Sequence, residues 1–444
     1  MKVLVLNGSP AGKNSITLYT VKYIQKHFPN CSFEILNVAQ SIKKYEKDFA
    51  PCKQALEGAE LILFSYPVYT FLVPAQLHRF VELMKEHKVC IRGKAATQIS
   101  TSKHFYDSTA HRFIEENCAD MGLHYIKGLS ADMDDLTTQT GRKEALDFFR
   151  FVLWSYKNGI YEPNPLLNSP APPKEPASPV AAVPKKEQGR VVLVADFDDT
   201  PEYAELRGLI EDFRAALPMK TDIMNIRQFA FAGGCLGCFH CAADGKCIYR
   251  DNFDTYLREN IQSADAIVYA YRIKDHSMGY RFKLFDDRQF CNGHRTVTMG
   301  IPVGYLVSGN LAAEPNLKTL MEARAQVGGN FLSGIATQTQ QALQMAQVLD
   351  YAVEHHYLPP KDFYGVGGLK IFRDLIYQMQ GLMREDHRFY KEHGFYDFPQ
   401  KRKGRIAAMY AVGAMMNNEK LRKKAGNKMN EGMVMPYENV LKKY

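Results

Sequence analysis

Two short apolar runs, Lys2-Val3-Leu4-Val5-Leu6 and Arg190-Val191-Val192-Leu193-Val194-Ala195, constrain the fold of this 444-residue chain more than any other feature. Each is short and nearly continuous, with no polar alternation. That pattern suits a parallel strand buried on both faces. Each run leads into a loop and then a helical pattern, Ser15–Phe28 in one case and Pro201–Leu217 in the other. A second strand follows each helix, at Phe33–Asn37 and at Thr221–Ile226. A third comes at Leu61–Phe64 and Ala266–Tyr271, and a fourth at Thr97–Thr101 and Val303–Ser308. Strands alternating with helices form βαβ units, whose right-handed crossovers build a doubly wound sheet. The sequence predicts one α/β fold used twice, offset by roughly 190 residues.

Between the repeats lies Tyr161–Gln188, which holds 8 of the 21 prolines. Such a stretch cannot form a core and behaves as a semi-rigid extended linker. The expected organisation is a domain at 1–160, a linker at 161–188, a second domain at 189–358 and a helical basic extension at 359–444. In the extension Gly365-Val366-Gly367-Gly368 reads as a turn. Helices are expected at Lys370–Glu392 and at about Arg405–Lys424.

The net charge is +8, and residues 401–444 alone carry 11 Lys+Arg against 3 Asp+Glu. The remainder of the chain therefore sums to zero. No nucleic-acid recognition motif accompanies this charge, so a solvated basic helix face is the preferred reading. No segment offers the ~20 apolar residues of a membrane-spanning helix. The apolar run at Met1–Leu6 is too short for a signal peptide. A cytoplasmic protein with no membrane partner is the expectation. Nine cysteines are too few for a disulfide scaffold, and four of them are clustered. In a reducing compartment that clustering points to a metal site or redox chemistry.

The first strand runs into Asn7-Gly8-Ser9-Pro10-Ala11-Gly12-Lys13-Asn14-Ser15, and a helix follows. In a doubly wound sheet this loop lies at the carboxyl edge, where ligands bind. Its hydroxyls and N–H groups face a helix N-terminus whose dipole favours an anion. The loop is neither G-x-G-x-x-G nor G-x-x-x-x-G-K-[ST], so a monophosphate fits better than a dinucleotide or a nucleoside triphosphate. The third strand ends in Ser65-Tyr66-Pro67-Val68-Tyr69-Thr70-Phe71-Leu72-Val73-Pro74-Ala75-Gln76-Leu77.

Together the N-G-S-P loop and this second loop resemble the NADPH-dependent FMN reductase branch of the flavodoxin-like proteins. The resemblance covers the whole first half. It implies that Ser9, Asn14, Ser15 and Thr17 hold the FMN phosphate and that Pro67, Val68, Tyr69 and Thr70 line the flavin ring. The third loop, Ser100–Asp107, would approach the pyrimidine end through Ser100 and Ser102. It departs from the Gly-rich form common in that family. Lys103 and His104 there are the catalytic candidates, as groups able to stabilise negative charge on reduced flavin; the competing reading of His104 is a surface residue.

The second half carries Cys235-x2-Cys238-x2-Cys241-x5-Cys247, with Gly233, Gly234 and Gly237 between and before the thiols. Four soft ligands suit a [4Fe–4S] cluster or Zn²⁺, and uncoordinated thiols remain a third reading. This segment resembles the iron–sulfur flavoproteins of anaerobes, in which the same spacing follows the second strand of a flavodoxin-like domain. Cys235, Cys238, Cys241 and Cys247 map onto its cluster ligands.

Each half departs from its pattern where the other keeps it. The second half has Asp196-Phe197-Asp198-Asp199-Thr200-Pro201-Glu202 in place of a phosphate loop, and four carboxylates repel a phosphate. Its ring loop reads Tyr271-Arg272-Ile273-Lys274-Asp275-His276, without Pro-Val-Tyr. The first half has only Cys52 where the cysteines would be. One FMN in the first half and one cluster in the second are expected, in a tandem that imitates a homodimer.

The expected fold is thus two flavodoxin-like doubly wound domains in tandem plus a helical C-terminal extension. The expected function is an FMN-dependent oxidoreductase that takes electrons from NAD(P)H or a ferredoxin-like partner. Self-association is also an expectation. The alternatives are an electron carrier without a small-molecule substrate and a quinone or flavin reductase with a structural cysteine loop.

Overall fold

The computed structural model describes residues 1–163, 180–397, 403–417 and 420. Most of the proline-rich linker and of the basic tail, with the expected helix end near Lys424, lies outside the described residues. The chain divides into two compact units, Met1–Phe389 and Tyr390–Tyr444. Among the described residues no helix is long and apolar enough to cross a membrane.

The first half runs β1 (Lys2–Asn7), α1 (Ile16–His27), β2 (Ser32–Leu36), α2 (Val38–Tyr45), α3 (Ala50–Glu57), β3 (Leu61–Pro67), α4 (Ala75–Glu86), β4 (Ala95–Ser102), α5 (Asp107–Asp120), β5 (His124–Tyr125), β6 (Leu129–Asp132) and α6 (Gln139–Asn158). The second runs β7 (Arg190–Ala195), α7 (Ala204–Ala216), β8 (Lys220–Asn225), α8 (His240–Asp244), α9 (Phe253–Tyr256), β9 (Ala266–Arg272), α10 (Gly279–Arg288), β10 (Pro302–Ser308), α11 (Pro315–Gly328), β11 (Phe331–Ala336) and α12 (Thr339–Glu354). The sheet orders are β2-β1-β3-β4-β5, with β6 also on β4, and β8-β7-β9-β10-β11. Every strand pairing is parallel. This is the flavodoxin-like order, in which the switch point lies between the first and third strands. The two doubly wound sheets in tandem, with helices after them, are as expected.

The buried strands explain how the halves meet. Val3 and Val5 face outward into a core with Leu18, Val21, Ala145 and Phe149, on α1 and α6. Val191 and Leu193 do the same with Leu206, Phe213 and Leu349, on α7 and α12. Leu4, Leu6, Val192 and Val194 face the other way, into one continuous core that also holds Phe64, Phe80, Phe113, Phe282, Phe285 and Leu320. The outer faces therefore have separate cores and the inner faces share one. Burial of that much apolar surface between the sheets makes the halves a single body.

The described end of the linker lies along the second half. Lys185 donates to the carbonyls of Arg214 and Leu217, closing the C-terminus of α7. Lys186 pairs with Asp350 and Glu354 on α12.

The extension differs from expectation. Gly365–Gly368 is no turn but lies within α13 (Phe363–Gln378), because Asp362 caps that helix through Tyr364 N. Gly365 and Gly368 are buried in this helix, where a Cβ on Gly368 would sit 2.6 Å from Val327 of α11. The expected helix at Lys370–Glu392 is broken at Met379, and α14 (Arg384–Glu392) follows. A further helix, α15, spans Lys403–Met416.

Candidate active site

The loop after β1 is built around Asn7. Its Nδ2 donates to Gly12 O at 3.0 Å and to Asn37 Oδ1 at 2.9 Å, while its Oδ1 accepts from Ser9 N at 3.3 Å. Gly12 adopts φ +56°, which a Cβ would strain. The loop thus folds back onto the start of α1, where Ser15 caps the helix through Leu18 N. Ser9, Ser15 and Thr17 are buried, and Asn14 and Lys13 stand exposed at the rim. Thr17 Oγ1 is buried in the first turn without a hydrogen-bond partner. A buried hydroxyl left open beside a helix N-terminus fits an anion such as the FMN phosphate.

The loop after β3 is a tight turn closed by Tyr69 and Leu72, whose backbones exchange hydrogen bonds of 2.8 and 2.9 Å. Thr70 and Phe71 both have left-handed backbones, at φ 40° and 71°. Such strain persists only where surroundings impose it. Here the second half imposes it. Lys283 Nζ donates to Tyr69 O at 3.0 Å and to Thr70 Oγ1 at 2.6 Å. Thr70 Oγ1 donates to Asp287 Oδ1 at 2.7 Å, and Asp287 Oδ2 accepts from Ala75 N, the first residue of α4, at 2.8 Å. Lys283 and Asp287, both on α10, form an ion pair with no solvent exposure.

The same device runs in the opposite direction. Glu82 of α4 accepts from Tyr280 N at the start of α10 at 2.7 Å and pairs with Lys274 at 2.8 Å. His78 stands one turn before Glu82 as Lys283 stands before Asp287, and His78 is also fully buried. The turn Lys274–Ser277 repeats Tyr69–Leu72, with Asp275 and His276 left-handed. Each half therefore caps the other's helix with a carboxylate, as an isologous dimer would.

Ser100, Ser102, Lys103 and His104 lie on or after β4. Ser100 Oγ meets His111 Nε2 at 2.8 Å. Burial pushes the His111 imidazole down to about 4. Ser102 Oγ accepts from His104 N. Lys103 is held by Asp132 at 2.7 Å and Asp134 at 2.6 Å, and His104 Nδ1 by Asp107 at 3.1 Å. Each catalytic candidate already has a carboxylate partner.

In the second half the acidic loop after β7 encloses Arg227. That guanidinium donates to Asp196 at 2.6 Å, to Asp198, and to the Tyr203 hydroxyl at 2.6 Å. The loop's own carboxylates occupy that guanidinium, so it is not free to hold a phosphate. Sequence reading missed this residue, although an arginine directly after β8 beside an acidic loop was a usable signal.

The cysteine loop lies between β8 and β9 and reaches the first half's ring loop. A Cβ on Gly237 would come 1.8 Å from the Tyr69 hydroxyl, and Gly237 has φ +61°. Only glycine allows that approach. Gln76 Nε2 donates to Cys235 O at 3.4 Å, and the Tyr69 and Phe290 rings meet edge-on at 5.7 Å. Cys235 Sγ accepts from Gly237 N, and the Cys241 thiol donates to Phe290 O. Burial pushes Cys241 up to about 11, with the Cys247 and Cys238 charges adding to it. Burial likewise raises Cys235, and Cys241 and Cys238 contribute. Four thiols carried on one short loop are a soft donor set of the kind a metal centre takes.

Arg288 organises this loop. It is a bidentate partner of Asp251 at 2.7 and 2.8 Å, donates to Gly233 O at 3.0 Å and lies 3.9 Å from Cys247 Sγ. Burial would raise the Asp251 carboxyl. Arg288 and the N–H groups of Ala232 and Phe253 outweigh that and hold it down at about 2. A carboxylate depressed from an ordinary 3.8 stabilises the fold above the unfolded value by about 2 kcal/mol. That stability is lost as pH falls from about 4 towards 2. Asp251→Asn should therefore be less stable than wild type near neutral pH, and the gap should close as pH falls. Urea midpoints from about pH 6 to about pH 3 measure this.

Residues 1–113 match the family model described as NADPH-dependent FMN reductase. An NADPH-quinone reductase from P. pentosaceus is 15% identical, with a TM-score of 0.28, over 34% of this chain and 97% of its own. An FMN-dependent NADH-azoreductase from Bacillus anthracis, in complex with FMN, is 12% identical, with a TM-score of 0.28, over 34% of this chain and 98% of its own. A flavodoxin from Pseudomonas aeruginosa is 16% identical, with a TM-score of 0.27, over 35% of this chain and 98% of its own. No curated protein matches the sequence. With the strand order and both loops in place, the first half is a flavodoxin-like domain, and its residues 1–113 carry the match to the NADPH-dependent FMN reductase family.

Proposed function

We propose that this chain is an NAD(P)H-dependent FMN oxidoreductase in which a [4Fe–4S] cluster on the second half exchanges electrons with one FMN on the first. The observation that carries the reading is the contact of the two loops across the shared core, Tyr69 against Gly237. An electron carrier acting on separate partners, or a reductase with a merely structural cysteine loop, gives no reason for that contact.

The residues divide the work. Ser9, Ser15 and Thr17, with Asn14 at the rim, hold the phosphate at the N-terminus of α1. Pro67, Val68, Tyr69 and Thr70 shape the ring site, with Ser100 and Ser102 at its far end. The Lys283–Asp287 pair keeps the ring loop in its strained form, so the site needs both halves. Cys235, Cys238, Cys241 and Cys247 would ligate the cluster, and Gly237 N already points at a sulfur. FMN, when bound, supplies hydride acceptance from a nicotinamide and joins two-electron to one-electron chemistry. The cluster supplies one-electron transfer. Lys103 and His104 would act only by giving up their carboxylate partners.

Anaerobic purification followed by an absorption spectrum, iron and acid-labile sulfide analysis tests this reading. About four irons per chain, bleached by reductant, are expected. Cys238→Ala should lose iron and keep FMN, since phosphate loop and cysteines lie in different halves. Rapid mixing with NADPH or NADH should reduce flavin and then cluster at a rate independent of protein concentration. Stoichiometric zinc without iron would favour a structural loop, and a concentration-dependent rate would favour the carrier.

A further inference from the structure

The turn of the second half that corresponds to the ring loop brings together a different donor set. A nitrogen of His276 and carboxylate oxygens of Glu116 and Glu314 all lie within 4.8 Å of one another. Glu116 belongs to α5 of the first half, and Glu314 is the residue preceding α11 of the second. His276 Nδ1 lies 3.0 Å from both Glu314 oxygens, and its Nε2 lies 3.0 Å from Asp120 Oδ2. An ion pair between His276 and two acids accounts for Asp120 and Glu314. It does not account for Glu116. That carboxyl is 3% exposed; one oxygen accepts from Arg112 at 3.0 Å, and Oε2 is buried without a partner. Burying a carboxylate oxygen unpaired is costly unless something meets it.

We propose that Glu116, His276 and Glu314 form a divalent-cation site that joins the two halves. The geometry supplies both shells. Nδ1 of His276 faces Glu314 on the ligand side. The other ring nitrogen donates to Asp120, the arrangement that orients a metal-bound imidazole. Lys85 fixes Asp120 in turn, at 2.5 Å, and also holds Asp275 at 2.9 Å. Arg112 holds the second oxygen of Glu116 and leaves Oε2 for the ion. One imidazole and two carboxylates form a hard, oxygen-rich set that suits Mn²⁺ or Fe²⁺ over the thiophilic ions drawn to the cysteine loop. None of its three ligands belongs to the Tyr69–Leu72 turn or to the cysteine loop, and its existence does not depend on either cofactor. Its ligands come from both halves, so the ion would tie the pseudo-dimer together.

Full-length protein is stripped with a chelator and titrated with Mn²⁺, reading bound ion by electron paramagnetic resonance and folded stability by thermal melting. One Mn²⁺ per chain and a raised melting temperature are expected. Glu116→Gln, nearly isosteric, and His276→Gln should each abolish this binding while retaining circular dichroism. Asp120→Asn should weaken it by ~10–100-fold. Cys238→Ala should bind Mn²⁺ as wild type does. The wild-type titration alone can overturn the proposal, through an absence of saturable binding up to about 1 mM. So would Mn²⁺ binding that survives Glu116→Gln, or binding lost with Cys238 instead.

Discussion

Lys283→Met should destabilise the protein by about 3–5 kcal/mol, because it leaves Asp287 as an uncompensated charge with no access to water. That is a large fraction of the ~5–15 kcal/mol that holds a domain together. The second consequence is local. Lys283 is the donor that fixes Tyr69 O and Thr70 Oγ1, so the strained turn Tyr69–Leu72 loses its anchor. FMN retention should fall with it, although Lys283 lies more than 200 residues from the ring loop. Urea unfolding and flavin fluorescence of the purified variant measure the two effects. Adding Asp287→Leu should recover much of the stability, since an apolar pair replaces a buried ionic one at little cost. It should not recover flavin, because Thr70 and Ala75 N would still lack partners. Recovery of both would mean that the pair is only a structural element of the core.

Ser9→Asp should lower FMN affinity by at least ~100-fold, by placing a carboxylate where, on the proposed reading, the phosphate would meet the N-terminus of α1. Each charge-assisted hydrogen bond lost there costs about 1.5–3 kcal/mol, and the two anions also repel. Asn7 and Gly12 should keep the loop shape, so the variant should fold. Wild-type protein should bind one FMN per chain. The second half cannot supply another cradle, because Arg227 already neutralises Asp196 and Asp198 in the equivalent loop. Fluorescence titration with FMN measures both values. Two FMN per wild-type chain would show that Arg227 can be displaced.

The doubled fold was legible because its signal is local. A strand buried on both faces must be a continuous apolar run, and β1 and β7 are such runs at the start of each half. The N-G-S-P loop and the four-cysteine loop were visible for the same reason, since each is built from residues close in sequence. The helix across Gly365–Gly368 was misread because glycine usually ends helices. Packing against Val327 reverses that preference by requiring a residue without a side chain.

Contacts between distant residues left no local trace. Lys283 and Asp287 read as two charges on an amphipathic helix, and only their burial against Thr70 and Ala75 shows that they hold the ring loop. Glu116, His276 and Glu314 are 160 and 38 residues apart and converge because α5, the turn after β9 and the start of α11 meet at the shared core. Periodicity states which face of a strand or helix is apolar. It does not state what covers that face. Here each half's inner face is covered by the other half, and that pairing set the strained turn, the meeting of the cysteine and ring loops, and the proposed cation site.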